Sequence, residues 1–175
     1  MHVIRPETPD DVSAIRQITV QAFAKQPHST QSEHLLVDAL RVAGALCVSL
    51  VAEHAGEIIG HIAFSRVLIN DADLNWYGLA PLSVSPTHQH QGIGTLLVGA
   101  GLACLDALSA QGCVVLGNPA YYSRFGFRTD TGLILDGVPA EYFMALPTTA
   151  RSLRSQVSFH PAFALCGGTP QPTKS

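Results

Sequence analysis

Between Trp76 and Ala110 the chain reads as a strand that cannot stay regular, then a short polar loop, then a long apolar helix opened by glycines; few folds accommodate that succession. The strand, Trp76 to Ser85, contains Gly78 and Pro81. Glycine weakens a ladder and proline cannot donate to one, so the strand is expected to bulge or bend and to leave backbone N–H and C=O groups without strand partners. A helix is expected from Gly92 to about Ala110, with Ile93, Leu96, Leu97, Ala100, Cys104, Ala107 and Leu108 on one side and Gly112 closing it. Cys113 to Leu116 then reads as a short apolar strand buried beside the broken one.

The flanking segments build a sheet around this unit. Val3 to Arg5 is a short extended piece stopped by Pro6, and Thr8-Pro9-Asp10-Asp11 supplies capping side chains and early negative charge for a helix running to about Ala24. Its face carries Val12, Ile15, Ile18 and Phe23. A second helix spans about Ser32 to Val42, with Leu35, Leu36, Ala39 and Leu40 as its stripe and Gly44 as terminator. Leu46 to Glu53 and Ile58 to Ile69 form an antiparallel hairpin across His54-Ala55-Gly56-Glu57. After a helical turn at Ala120 to Phe125, extended pieces are expected near Gly132 to Leu135, Glu141 to Leu146 and Val157 to Phe163. The class is α/β or α+β: a mixed, bent sheet with helices on its faces.

Chain length and charge exclude several alternatives. The 175 residues suit one domain, residues 1–166, with 167–175 as a loose tail. The uncharged stretch Ile93 to Leu105 is glycine-broken and shorter than the ~18 residues a membrane span needs. No basic leader with an apolar core opens the sequence, so cytoplasm is the expected location. The four cysteines, Cys47, Cys104, Cys113 and Cys166, form no C-x-x-C pair and read as small buried hydrophobes. A net charge of −3 provides no basic stripe for nucleic acid.

The loop and helix start, from Leu82 to Val98, is where chemistry is expected. First-turn amides of a helix have no internal partners and lie at the positive end of its dipole, which suits a phosphate or pyrophosphate. Gly92 and Gly94 let that anion approach the backbone. A dinucleotide fingerprint fails because its third glycine position is Leu97, and a Walker loop fails because no Gly-Lys-Ser/Thr follows.

Gln89-x-x-Gly92-x-Gly94, preceded by Val84 and Pro86, resembles the Q/R-x-x-G-x-G/A pyrophosphate loop of the GNAT N-acetyltransferases. Downstream, Tyr122-Ser-Arg-Phe-Gly126-Phe127 resembles the Y-x-x-x-G-F ending of that family's second motif. The start Ile4-Arg-Pro-Glu and the late Glu141-Tyr-Phe-Met and Phe159-His-Pro segments look more narrowly like YhbS-type acetyltransferases, so the resemblance covers about residues 1–165. It implies a GNAT fold in which the broken strand and the next one splay apart around the pantetheine arm of acetyl-coenzyme A. Leu82, Ser83 and Val84 would then line pantetheine, with backbone at Leu82 and Val84 pairing it. Amides at Gln89, His90, Gln91, Gly92, Ile93, Gly94 and Thr95 would hold the pyrophosphate.

The implied reaction is attack by a neutral primary amine on the thioester, the amine belonging to a small molecule or peptide. Tyr122 matches the family's general acid, and a phenol is protonated at neutral pH and can donate to the departing sulfur; Tyr121 beside it reads as packing. Asn118 is either a coenzyme contact or a turn residue before Pro119. Glu33, His61, Ser83 and Glu141 are open candidates for the base. His88 and His90 make an H-x-H pair without further ligands, so no metal is expected. Phe125, Phe127, Phe143, Phe159 and Phe163 read as packing, and His160 as structural. Arg124, Arg151 and Arg154 read as surface charges, one of which could meet the coenzyme's 3'-phosphate. A homodimer is permitted, and a non-catalytic acyl-coenzyme A binding or sensing module is the alternative function.

Overall fold

The structure, a computed structural model, describes residues 1–147 and 154–167. The expected tail after Gly167, and Arg151, lie outside the described residues. Strand β1 (Val3–Pro6) leads through a 3-10 turn (Pro9–Asp11) into α1 (Val12–Phe23), followed by α2 (Glu33–Val42). The long hairpin β2 (Leu46–His54) and β3 (Glu57–Ile69) continues into β4 (Ala72–Val84), α3 (Ile93–Ala107) and β5 (Gly112–Leu116). A short α4 (Pro119–Tyr122) precedes β6 (Leu133–Ile134), β7 (Phe143–Pro147) and β8 (Ser155–Ser158), and a 3-10 helix (Pro161–Cys166) ends the described chain.

The sheet runs β1-β2-β3-β4-β5-β7, with β8 on the far end of β3 and paired in turn with β6. All neighbours on the main path are antiparallel except β4 and β5, which the α3 crossover makes parallel. The expected bulge lies in β4. Ile62 pairs Leu82 but Phe64 pairs Leu79, so Ala80 and Pro81 together face one residue of β3. The bulge turns β4 away from β5, whose pairing with it is confined to Trp76, Tyr77 and Gly78 opposite Gly112, Cys113 and Val114. Beyond Gly78 the two strands diverge.

One face of the sheet packs under α3 and α4 through Leu50, Ile62, Phe64, Leu79, Leu82, Leu97, Val115 and Tyr122. Ile15, Val37 and Val51 carry α1 and α2 on the other face. There the C-terminal 3-10 helix also seals Ala80 beneath Leu36, Leu40, Phe163 and Cys166. No helix among the described residues is long and apolar enough to cross a membrane.

Several expected details differ. Leu35, Leu96 and Leu108 are 47%, 48% and 46% exposed. In α2 the buried line is Glu33, Leu36, Val37 and Leu40, an i, i+3, i+4, i+7 set that the parallel line through Leu35 and Ala39 masked. Helix α3 is apolar nearly all round, so its inward face is chosen by fit: a Cβ on Gly101 would lie 2.3 Å from the Phe64 ring, which brings that glycine and Leu97, Val98 and Leu105 inward. The helix also stops at Ala107, where Ser109 turns to positive φ, and Gly112 opens β5 instead of closing α3. Strand β4 starts at Ala72, earlier than Trp76. Ala140–Tyr142 is a 3-10 turn, and after Ser158 the extended chain ends because Pro161 starts a 3-10 helix capped by His160 Nδ1, which accepts from the Ala162 amide at 3.1 Å. Cys47 is exposed, whereas Cys113 and Cys166 are buried.

Glu7, Arg41, Ser49 and His61 form a half-buried polar group in which only His61 is fully enclosed. Arg41 donates to Glu7 at 2.8 and 3.0 Å, and Ser49 donates to Glu7 at 2.5 Å and lies 2.8 Å from His61 Nε2. Burial opposes the Glu7 charge, but bonds from His61, Arg41 and Ser49 outweigh it and hold the carboxyl far below its usual 4.5. Burial lowers the His61 pKa from 6.5 against the pull of Glu7, so its imidazole is neutral. Both shifts act in the same direction. The unfolded chain binds more protons below each ordinary value, so stability is complete above about pH 6.5, declines below it as unfolded His61 protonates, and falls further below about 4.5. Thermal unfolding between pH 8 and 4 is expected to give a flat midpoint followed by this two-stage fall. A higher midpoint at pH 5.5 than at pH 7.5 contradicts the assignment.

Candidate active site

The open side of β4 is defined by its ladder with β3. Ser85 N donates to Ile59 O at 2.8 Å, and the register continues through Val84 opposite Gly60, Ser83 opposite His61 and Leu82 opposite Ile62. Antiparallel pairs alternate between bonded and non-bonded, so Ser85 and Ser83 bond to β3 while Leu82 and Val84 turn their N–H and C=O groups to the other side. On that side β5 has already diverged. Gln89 Nε2 occupies the Val84 carbonyl at 3.1 Å, and the strand groups left facing the gap are the Leu82 N–H and C=O and the Val84 N–H.

The gap leads to a cavity of about 270 Å³ at the start of α3, lined by Val84, His88, Gln89, His90, Gly92, Ile93, Gly94, Thr95, Tyr121 and Arg124. A 3-10 turn over Pro86–His88 swings the chain from β4, and His90 and Gly92 take left-handed φ values of 62° and 82° where the loop turns into α3 along the cavity. No atom lies within 4 Å of a Cβ built on Gly92, so its backbone conformation, not crowding, calls for glycine. The α3 N-terminus carries no side-chain cap, leaving its first amides available to an anion. Tyr121 and Arg124 form the far wall. The Tyr121 hydroxyl is 3.4 Å from Thr95 Oγ1, and the Arg124 guanidinium stacks 4.7 Å above the Tyr121 ring. Arg124 has no carboxylate partner among the described residues, so its charge is open to a ligand.

Of the residues singled out in the sequence, Val84, Gln89, His90, Gly92, Ile93, Gly94 and Thr95 meet in this cavity. Leu82 borders the gap through its backbone. Ser83 points its hydroxyl the other way, to Thr19 Oγ1 at 3.5 Å under α1. Gln91 is exposed and donates to Thr87 O at 3.2 Å. Asn118 caps α4, accepting from the Ala120 amide at 3.0 Å. Tyr122 does not line the cavity; it is fully buried in the core cluster that also holds Leu79, Leu82 and Val115 of the two strands flanking the gap. Its ring meets Tyr121 and Phe127 edge-on at 5.0 and 5.7 Å. Tyr121 and His88 were not expected as lining. For Tyr121 the signal was local: a helix as short as α4 turns adjacent tyrosines to different surroundings, one to the cavity and one to the core. Among the described residues no three His, Cys, Asp or Glu side chains converge as a metal site.

The arrangement pairs an anion-binding helix start with a strand edge able to hydrogen-bond an extended amide-bearing chain, and Tyr122 belongs to the same buried cluster as Leu82 and Val84. Residues 45–129 match the model of the acetyltransferase (GNAT) domain. The chain is 40% identical over 127 residues to the uncharacterised N-acetyltransferase YhbS of Escherichia coli K12, covering 72% of this chain and 73% of that one. Among solved structures, a GNAT family acetyltransferase from Brucella melitensis in complex with acetyl-CoA superposes with a TM-score of 0.83 at 45% identity, over 93% of this chain and 98% of that one. E. coli YhbS in complex with CoA superposes with a TM-score of 0.86 at 32% identity, over 93% and 92% of the two chains. The matched residues include both motifs, and the chain belongs to the GNAT family of N-acetyltransferases.

Proposed function

We propose that the protein transfers the acetyl group of acetyl-coenzyme A to a primary amine by direct attack of the nitrogen on the thioester. The observation that carries this reading is the outward-facing backbone of Leu82 and Val84, which leads straight to the cavity at the start of α3. Pantetheine amides laid along that edge complete the bonds the bulge denies to β5, and the pyrophosphate meets the amides from Gln89 to Thr95. That the Brucella melitensis and E. coli relatives are complexes with acetyl-CoA and CoA supports the same ligand here.

In this pose the thioester lies near the bulge, beside Tyr122. The neutral amine nitrogen bonds to the carbonyl carbon, the carbon–sulfur bond breaks, the Tyr122 hydroxyl donates its proton to the departing sulfur, and the proton shed by the new amide nitrogen passes through solvent to restore the phenol. The test is thiol release from acetyl-coenzyme A with and without a panel of primary amines. Amine-dependent release is the expected result. Coenzyme binding without release from any amine would favour the non-catalytic binding module.

Arg124 gives a separate expectation. Stacked on Tyr121 at the cavity wall with no carboxylate partner among the described residues, it is assigned to a coenzyme phosphate. Arg124→Ala should raise the Kd for coenzyme A about tenfold, the worth of one charge-assisted hydrogen bond, with a shallower salt dependence than the parent's. An unchanged Kd in titration calorimetry contradicts the assignment.

A further inference from the structure

The point where β4 and β5 part is closed differently on its two faces. Gly78 opposite Val114 is the last pair of the two strands, so a chain laid along the open edge from Val84 past Leu82 is aimed at Gly78. On the α3 face the next residues, Leu79 and Val115, are fully buried in one cluster with Tyr122. Strand alternation turns Gly78 to the other face, with Trp76 and Ala80. There the missing side chain leaves a hollow, and a ring fills it: a Cβ built on Gly78 would collide with Phe159 Cε1 and lie 3.1 Å from Phe159 Cδ1.

A second, independent observation concerns how that ring is held. Phe159 packs both with the Trp76, Val114 and Phe143 cluster and with the Ala80, Leu36 and Leu40 cluster, and its ring lies 4.9 Å from that of Phe163. All of those neighbours are buried, whereas Phe159 is half-buried. Its backbone is fixed from both sides. Strand β8 ends at Ser158, in register with Leu68 of β3, and His160 caps the 3-10 helix that starts at Pro161. The ring is therefore a firm stop over Gly78, and truncating it opens space without removing a fully enclosed core residue.

Resting on the function proposed above, we infer that Phe159, seated on Gly78, limits the acyl group that the protein transfers to acetyl. The acyl group hangs from the sulfur at the inner end of the pantetheine arm, so each added methylene extends it toward Gly78. Leu79 and Val115 bar the α3 face, and Phe159 bars the other; a close-packed apex has no room for a longer chain. The bonds made and broken are the same for any acyl group, the carbonyl carbon passing from sulfur to nitrogen. What differs is whether the chain beyond the carbonyl can be seated. The donor is thus acetyl-coenzyme A, with butyryl- and hexanoyl-coenzyme A excluded.

Titration calorimetry with coenzyme A and its acetyl, butyryl and hexanoyl thioesters tests this without an acceptor. A methylene that an apolar site cannot seat costs roughly tenfold or more, so wild type is expected to bind the butyryl and hexanoyl forms at least tenfold more weakly than the acetyl form. Phe159→Ala should bring both within about threefold of the acetyl form, and leave the Kd for coenzyme A, which carries no acyl group, within about twofold. Phe143→Leu, which trims a buried aromatic of the same cluster, should keep the wild-type ratio. Equal binding of all three thioesters by wild type, an unchanged ratio in Phe159→Ala, or the same loss of selectivity in Phe143→Leu overturns the inference and leaves the acetyltransferase reading intact. Failure of wild type to bind either coenzyme A or acetyl-coenzyme A overturns that reading and the inference with it. If Phe159→Ala does not fold, Phe159→Leu decides: it removes the ring but keeps an apolar side chain, and should lower the butyryl-to-acetyl Kd ratio about threefold. An unchanged ratio there counts against the inference.

Discussion

Tyr122→Phe lowers kcat for amine acetylation about 100-fold, the usual range for loss of a positioned acid, and leaves the Kd for acetyl-coenzyme A within about twofold. The substitution keeps the ring and its edge contacts with Tyr121 and Phe127, and removes the hydroxyl. Only a step in which the sulfur departs should feel the change. Tyr121→Phe is the natural comparison, because its hydroxyl faces Thr95 in the coenzyme cavity; it is expected to weaken coenzyme binding slightly and to leave kcat nearly intact. Pre-steady-state and steady-state thiol release on both variants separates the two roles. If Tyr121→Phe suffers the larger loss in kcat, the acid is Tyr121.

The second large effect is on stability. Gly101→Ala places a methyl 2.3 Å from Phe64, itself fully buried in the central strand of the sheet, and neither helix nor ring can retreat without opening the core. Overpacking of this kind costs about 1–3 kcal/mol, a fall of roughly 3–10 °C in the unfolding midpoint for a chain of this size. Two residues earlier on the same helix, nothing lies within 4 Å of a Cβ built on Gly99. Gly99→Ala should stabilise by about 0.5–1 kcal/mol from helix propensity alone. Opposite signs for the two alanines would establish which face of α3 meets the sheet, and the same sign would refute it.

That pair also marks the limit of what the amino-acid order conveys. The hairpin, the broken strand and the loop from Pro86 to Thr95 were legible because each depends on local chemistry: β-branched runs, a proline in a ladder, a glycine where φ must be positive. The inward face of α3 was not legible, since leucines surround the helix and a glycine against Phe64, 37 positions apart in sequence, settles its rotation. The candidate site divides in the same way. Gln89, Gly92 and Gly94 belong to one contiguous motif and meet in the cavity. Arg124 and Tyr121 reach it only because β5 returns the chain beside α3. Contacts of that range leave no local pattern. The sequence also named Ser83 beside Leu82 and Val84 without distinguishing them, yet alternation along β4 sends neighbours to opposite sides; one bond, Ser85 to Ile59, sets which residues face the gap.

The most direct test of the account is the thermal unfolding midpoint with saturating acetyl-coenzyme A, coenzyme A, ATP or NAD. A ligand that binds only the folded chain raises stability by mass action, about 2.7 kcal/mol at a hundredfold excess over Kd. The account predicts a rise of several degrees with both coenzymes and little with NAD, whose adenosine and pyrophosphate lack the pantetheine arm that the β4 edge would hold. No rise with either coenzyme, or a larger one with ATP or NAD, would contradict it.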